Sequence, residues 1–292
     1  MTTIENPAER GTHLDPLPVY LDARTAFANS YLLGDGLEIG PLHQPLAVPP
    51  HAHVRYVDRM TSQQLRSEYP ELADWDLTEV DIVDDGEKLT TIPAESQDFI
   101  IANHFLEHTE NPIGTIEGHL GKLKPGGVLF YAVPDKRFTF DFRRETTPLE
   151  HMVADADQGP ERSRAQHYEE WCRFVIGHES GDEVPSDEWV TQRAAQLDEM
   201  GYSIHMHVWT QAEFLDLILE IRRRTGAGFD IEAAARVGIE FVVVLRKPGA
   251  LPVPPTPPAP PPQAPLWRVW GSRAKWFARR TRERVNRRRA RP

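Results

Sequence analysis

Cysteine is nearly absent from this chain: Cys172 is the only one among 292 residues. A single thiol excludes an internal disulfide and any thiolate-rich metal site. No run of roughly 18 apolar residues occurs, so no transmembrane helix is expected. The opening residues, MTTIENPAERGTH, lack the basic start and apolar core of a secretory signal. Together these absences point to a cytoplasmic protein. Glycine is scarce in one informative place. The stretch LEIGPLHQP, Leu37–Pro45, reads as a buried strand entering a tight loop, yet Gly40 is followed by Pro41, Leu42 and His43 rather than by further glycines.

What is present is an ordinary globular composition with an unusual distribution of charge. Apolar residues make up 40% of the chain, as in soluble domains. From Leu266 onward eleven Arg or Lys accompany one acid, Glu283, for a net +10; the whole chain carries −11, so the first 265 residues carry −21. A body this acidic repels nucleic acid backbones, and no nucleic acid partner is expected. Residues 1–247 form the folded body. Residues 248–265 are a Pro-rich linker, since proline fixes φ, removes the amide donor and favours a polyproline II spacer. Residues 266–292 are a basic amphipathic tail with Trp267, Trp270, Ala274 and Phe277 on one helical face. Such a tail suits an anionic membrane surface, here the inner face; the alternatives are a partner protein, the acidic body itself, or disorder.

Within the body, short apolar runs bounded by turn residues read as strands at Gly36–Gly40, His53–Arg59, Val80–Asp85, Ser96–His104 and Gly126–Asp135. Helical spacing appears between them, with Ile113, Ile116, Leu120 and Leu123 ahead of a stop at Pro125-Gly126-Gly127. A late amphipathic helix, TQAEFLDLILEIRRR, precedes two strands that form a hairpin at the sheet edge. This alternation predicts an α/β fold, a mostly parallel Rossmann-like sheet with helices on both faces. The polar, histidine-rich stretch 136–208 reads as a lid or insertion over the sheet.

Ligands of such sheets sit beyond the carboxyl ends of the strands. Those ends carry Glu38 and Gly40, then Asp58, then Asp84, Asp85 and Gly86, then Asn103 and His104, and finally Asp135. Asp58 stands about 20 residues after the first turn, where a carboxylate holds a ribose diol. A dinucleotide pyrophosphate needs glycine amides at a helix start, whereas GPLHQP offers a proline and Leu42, with Glu38 adding negative charge. That disfavours an NAD-dependent oxidoreductase. A cofactor with ribose and adenine but no phosphate fits better. S-adenosylmethionine (SAM) is one, and its sulfonium and ammonium suit an acidic pocket.

The series LEIG, YVDR, DDGEKLTTIPAESQDFIIANHFLEHTENP and LGKLKPGGVLFYAVPD resembles the successive motifs of class I SAM-dependent methyltransferases, from about Gly36 to Asp135. The resemblance implies that Gly40 passes the methionine moiety, with Glu38 near its ammonium. It implies that Asp58 holds the ribose with Arg59 beside the adenine, that Asp85 and Gly86 meet the adenine edge, and that Asn103 and His104 close the pocket near the sulfonium. Plainer roles stand beside these: Glu38 capping the turn, Asp58 pairing with Arg59 or Arg55, and Asp84 and Asp85 shaping a turn before Gly86. His108 reads as a structural residue at a helix start.

The block DKRFTFDFRRETTPLEHMVAD, followed by HYEEW and YSIHMHVWT, is similar to the branch of these enzymes associated with glycosyltransferases and polysaccharide assembly. That similarity implies O-methylation of a saccharide. Carboxylates, arginines and aromatic faces suit a sugar ring, and the candidates are Asp135, Lys136, Arg137, Arg143, Tyr168, Trp171 and His207. A hydroxyl acceptor needs a base; His151 and His167 lead, with His104 third, because neutral imidazole accepts a proton near neutral pH. A Mg²⁺ site at Asp135, Asp141 or Asp155 is the further expectation, although no dedicated metal motif is present. The competing readings are a methyltransferase of a non-sugar small molecule or lipid, and a catalytically silent SAM-fold adaptor in a glycan-assembly complex.

Overall fold

The apolar runs of the sequence pair into one mixed sheet, seen in a computed structural model that describes residues 17–72, 74–177, 185–226 and 228–250. Its strands are β1 (Gly34–Ile39), β2 (Ala52–Asp58), β3 (Ile82–Val83), β4 (Gln97–Asn103), β5 (Leu123–Pro134), β6 (Asp230–Val237) and β7 (Glu240–Arg246), in the spatial order β3-β2-β1-β4-β5-β7-β6. The first five are parallel; β7 runs antiparallel to both β5 and β6. This is the Rossmann-like sheet of class I methyltransferases, with the hairpin expected at its edge.

Local chemistry explains where strand boundaries differ from the sequence expectation. β3 keeps only two of the residues expected between Val80 and Asp85. The acids around it turn their side chains onto backbone and hydroxyl groups: Asp81 accepts from the Tyr56 N–H at 2.8 Å, and Asp84 from the Thr91 N–H at 2.7 Å. β5 begins earlier than expected, because the LKPGG stretch is absorbed as an irregularity between the pairs Gln97–Leu123 and Phe99–Val128.

Helix ends follow the capping rules. α1 (Leu17–Tyr31) has no counterpart in the sequence expectation. α2 (Ser62–Glu68) starts on a capping box formed by Thr61 and Gln64. α3 (Pro112–Lys122) starts on Asn111, whose side chain accepts from the Gly114 N–H. The insertion contains α4 (Leu149–Gln158), α5 (Arg164–Trp171), a π turn over Cys172–Ile176, and α6 (Asp187–Glu199). α7 (Gln211–Thr225) starts on a second capping box, Thr210 with Glu213, and ends on Gly226 at φ 56°.

Three apolar clusters hold these layers. One face of the sheet, with Leu37, Ile39, Ile100 and Leu129, packs on α3 and α7 through Ile116, Phe214 and Ile218. The other, with Phe99, Ile101 and Phe130, meets Ala28 and Leu32 around α1. The insertion has its own core, in which Tyr168, Trp171 and Cys172 pack on Val190, Ala194 and Leu197.

The connection from β1 to β2 contains no helix; residues 40–51 are turn and irregular loop. Such crossovers usually carry one. The helix N-terminus that would cradle a phosphate is therefore missing where a dinucleotide would need it.

The chain separates into the units Met1–Pro254 and Pro255–Pro292, and the described residues all belong to the first. The basic tail, and the Pro-rich linker beyond its first three residues, lie outside the described residues. Among the described residues no helix is long and apolar enough to cross a membrane.

Candidate active site

A cavity of about 760 Å³ opens at the carboxyl ends of β1, β2 and β4 and is walled on its far side by the insertion. Its size lies within the usual range for small-molecule sites. Six residues expected to hold the cofactor line it: Gly40, Asp58, Arg59, Asp85, Gly86 and His104. They come from four successive strand ends, which is why their positions were legible in the sequence.

Backbone geometry shapes this floor. Gly40 sits at φ 61° and a Cβ there would meet nothing within 4 Å, so the position is selected for conformation and openness. At Gly86 a Cβ would come within 2.7 Å of Ile39 and 2.8 Å of Phe105, so only glycine allows this close approach. The turn is pinned from below by His119, whose Nε2 donates to the Gly86 carbonyl at 2.8 Å while its Nδ1 accepts from the Tyr131 hydroxyl at 2.9 Å. Burial lowers the His119 pKa to about 4, which keeps it neutral in that role.

Asp58 is nearly buried, and burial pushes its carboxyl up while the Arg59 and Met60 backbone amides pull it down. Arg59 is held by Glu68 at 3.0 Å and by the Tyr69 hydroxyl at 3.3 Å, and its charge adds a smaller downward pull on Asp58. Asp85 accepts from the Glu87 N–H at 2.9 Å and pairs with Lys88 at 3.2 Å. Glu87 also lines the cavity, and burial, reinforced by the charge of Asp85, raises its carboxyl to about 7.

Glu38 and Asn103 are placed differently from the expectation. Strand alternation puts Leu37 and Ile39 on the α3–α7 face and Glu38 on the other, so Glu38 does not line the cavity. Both its oxygens accept from the Leu46 N–H, at 2.9 and 3.1 Å, which ties down the loop after β1. Burial raises its carboxyl to about 7. The Asn103 amide nitrogen and oxygen are buried without a hydrogen-bond partner of ordinary geometry.

His104 is the strained residue of the site. It lies at φ 50°, a region a non-glycine residue enters at a cost, and its N–H donates to the Ala132 carbonyl at 2.8 Å. Its Nε2 is 2.7 Å from Oε2 of Glu240, and its Nδ1 is 4.0 Å from Oε1 of Glu107. Burial alone would push the Glu240 carboxyl up, but hydrogen bonds from Arg24 and His104 outweigh it and hold the group below its ordinary value. Arg24 and Glu240 were missed in the sequence: one lies in a helix the pattern did not reveal, the other at the start of β7, far along the chain from the other strand ends. His108 also lines the cavity, with Nδ1 donating to the Ile204 carbonyl at 2.9 Å; burial lowers its pKa.

Of the residues expected to bind the acceptor, Tyr168 alone lines the cavity. Asp135 is fully buried and held by Arg137 at 2.6 and 2.9 Å, capping the turn that follows β5. Lys136 reaches the Phe142 carbonyl at 3.4 Å, and Arg143 stacks on the Phe142 ring. Trp171 packs edge-on against Phe140 inside the insertion. The far side of the cavity is built instead by Glu110, Arg164, Asp198, Tyr202 and Ser203. Arg164 pairs there with Glu110 at 2.7 Å, and the Tyr168 hydroxyl donates to the Tyr202 carbonyl at 2.9 Å.

His151 and His167, the leading candidates for the base, are brought together with His207, but behind the cavity wall. Nε2 of His151 is 3.1 Å from Nε2 of His167 and 3.1 Å from Oδ2 of Asp155. Burial keeps His167 and His207 neutral, the former lowered to about 3. None of the three lines the cavity. The three aspartates considered for Mg²⁺ do not converge: Asp135 is held by Arg137, Asp141 by His205 at 2.6 Å and Arg144 at 3.0 Å, and Asp155 belongs to the histidine cluster.

A methyltransferase-domain family model matches residues 53–214, more than half of the chain, and the protein belongs to that family of enzymes. No curated protein matches it. Among solved structures it is similar to a SAM-dependent methyltransferase from Aquifex aeolicus, at 12% identity over 83% of this chain and 99% of that one, TM-score 0.43. It is also similar to a SAM-dependent methyltransferase from Methanosarcina mazei, at 17% identity over 76% of this chain and 96% of that one, TM-score 0.41.

The cavity's own chemistry fits SAM. Asp58 offers a carboxylate for two ribose hydroxyls, the floor lets a ligand approach the backbone at Gly40 and Gly86, and the acidic surroundings favour a cation. No helix start is available for a pyrophosphate after β1.

Proposed function

We propose that the protein transfers a methyl group from SAM to a hydroxyl of a saccharide or glycan precursor, with His104 as the general base. The observation that carries the reading is His104 itself, held at φ 50° against the cavity and hydrogen-bonded to Glu240. Strained residues of this kind cluster at functional sites.

The tautomer follows from the partner. Glu240 is kept ionised and accepts only, so Nε2 of His104 carries the proton and Nδ1 carries the lone pair. Nδ1 then accepts the hydroxyl proton as the acceptor oxygen attacks. The Glu240 carboxylate, with Glu107 beyond Nδ1, stabilises the imidazolium that forms. SAM would supply a methyl group carried on a cationic sulfonium whose leaving group is a neutral thioether. Asp58, Asp85 and Gly86 would hold its nucleoside end and so position the donor for the hydroxyl.

Support for a sugar comes from the far wall. Tyr202 and the buried Tyr168 line the cavity there with Glu110, Arg164, Asp198 and Ser203, groups of both signs that match a ring with many hydroxyls. The test is methyl transfer from labelled SAM to a panel of glycosides and to non-sugar alcohols and phenols. A methyl ether formed on a glycoside supports the reading. Turnover confined to non-sugars overturns the saccharide assignment. Tight S-adenosylhomocysteine binding without turnover of any acceptor favours the adaptor.

A further inference from the structure

The four groups behind the cavity wall have the makings of a metal centre. His151 and Asp155 lie one turn apart on α4, His167 is on α5, and His207 lies on the segment entering α7; one donor atom from each lies within 4.8 Å of every other. Two of the six separations are close to those of ligands around one ion. Donors at about 2.0–2.1 Å from a tetrahedral zinc stand about 3.3 Å apart; here Nε2 of His151 is 3.1 Å from both Nε2 of His167 and Oδ2 of Asp155.

Hydrogen bonding alone leaves the cluster unsatisfied. One proton on Nε2 of His151 serves His167 or Asp155, not both. Nδ1 of His207 is buried with no partner in any tautomer, because its Nε2 already donates to the Glu110 carbonyl, at 3.4 Å. Unpaired buried polar atoms of this kind are rare and costly. The outer contacts are those that orient metal ligands: a backbone carbonyl on the far nitrogen of His207, and the Ser163 hydroxyl donating to Oδ1 of Asp155 at 2.7 Å, which leaves Oδ2 for the centre.

We propose that His151, Asp155, His167 and His207 bind one divalent first-row transition-metal ion, zinc foremost, as a structural centre of the insertion. Three imidazoles and one carboxylate select such an ion over Mg²⁺, which prefers an all-oxygen shell. Four protein ligands complete a tetrahedral shell and leave no position for substrate, the pattern of a structural site. The ion would fix α4 and α5 against the 204–208 segment, and with them Arg164, Tyr168 and Met206 of the cavity wall. The inference is independent of which acceptor is methylated.

The test is metal analysis of untagged full-length protein, followed by chelator stripping and titration with Zn²⁺ against a chromophoric competitor. One zinc per chain is expected. Stripping should lower the melting temperature, Zn²⁺ but not Mg²⁺ should restore it, and Co²⁺ should give the intense visible bands of a tetrahedral site. His207→Gln and Asp155→Asn should each weaken Zn²⁺ binding at least tenfold. The Co²⁺ spectrum of the unaltered protein keeps the test decisive if a variant fails to fold. A folded, stripped protein with unchanged melting temperature and a featureless Co²⁺ spectrum would overturn the proposal, as would zinc binding that both variants retain in full.

Discussion

Nε2 of His104 lies 2.7 Å from Oε2 of Glu240, 136 positions further along the chain. One residue directly follows β4 and the other begins β7, two strands separated in the sheet by β5. The fold thus places an ionised carboxylate behind an imidazole at the cavity. If this pair moves the acceptor proton, His104→Ala should lower kcat by about 10²–10⁴-fold while S-adenosylhomocysteine still binds. Glu240→Gln, which keeps the shape and removes the charge, should lower kcat by about tenfold or more with little change in KM, and Glu240→Asp should recover part of it. Steady-state kinetics with a glycoside acceptor reads all three. A Glu240→Gln enzyme with full kcat would remove Glu240 from the mechanism.

Asp58 makes the corresponding prediction for the cofactor. A buried carboxylate that accepts two ribose hydroxyls contributes charge-assisted hydrogen bonds worth about 1.5–3 kcal/mol. Asp58→Ala should therefore weaken S-adenosylhomocysteine binding by roughly 10–100-fold, measured by calorimetric titration, and NAD should bind neither form. The residue ends β2 at the cavity rather than inside the apolar core, so the variant is expected to stay folded.

The two sites differ in how far they could be read from the sequence. Asp58, Asp85, Gly86 and His104 sit at strand ends, and a strand end is visible as the point where an apolar run stops; sheet topology then brings those ends to one place. Glu38 was misplaced because alternation sends it to the opposite face from Ile39, and nothing local shows that the Leu46 amide waits there. The histidines of the insertion failed for another reason. His151 and His167 lie on different helices, and which helical face meets the cavity is decided by how the insertion's own core packs, through Tyr168, Trp171 and Leu197. Residue density marked the segment as functional but could not orient it. Arg24 was invisible altogether, since α1 lacks a clear amphipathic pattern.

Arg24 nevertheless has a large expected effect on stability. It forms a two-pronged ion pair with Glu240, and Glu240 is almost fully buried. Removing Arg24 leaves the buried Glu240 charge with His104 as its remaining partner, a loss of about 3 kcal/mol. Arg24→Ala should lower the denaturation midpoint accordingly, and adding Glu240→Gln to it should restore part of the loss. Equal midpoints for the single and double variants would show that the pair contributes through packing of α1 rather than through charge.

Glu38 gives the pH dependence. Burial raises its folded-state carboxyl to about 7, against an ordinary value of 4.5. Below the ordinary value the group is protonated in both folded and unfolded chains and has no effect on the balance. As pH rises from about 4.5 to 7 the unfolded chain releases the proton while the folded chain retains it, so stability falls across that window and levels off above it. The full difference is on the order of 3 kcal/mol. Glu87, raised to about 7 by the same cause, acts in the same direction. Glu38→Gln keeps an oxygen for the Leu46 amide and removes the titration, so it should flatten part of this slope. Urea denaturation at pH 5 and pH 8 is the measurement. The variant should be more stable than the native protein at pH 8 and close to it at pH 5. A variant that loses equal stability at both values would mean that the carboxylate form itself anchors the loop, and that Glu38 is ionised in the folded protein.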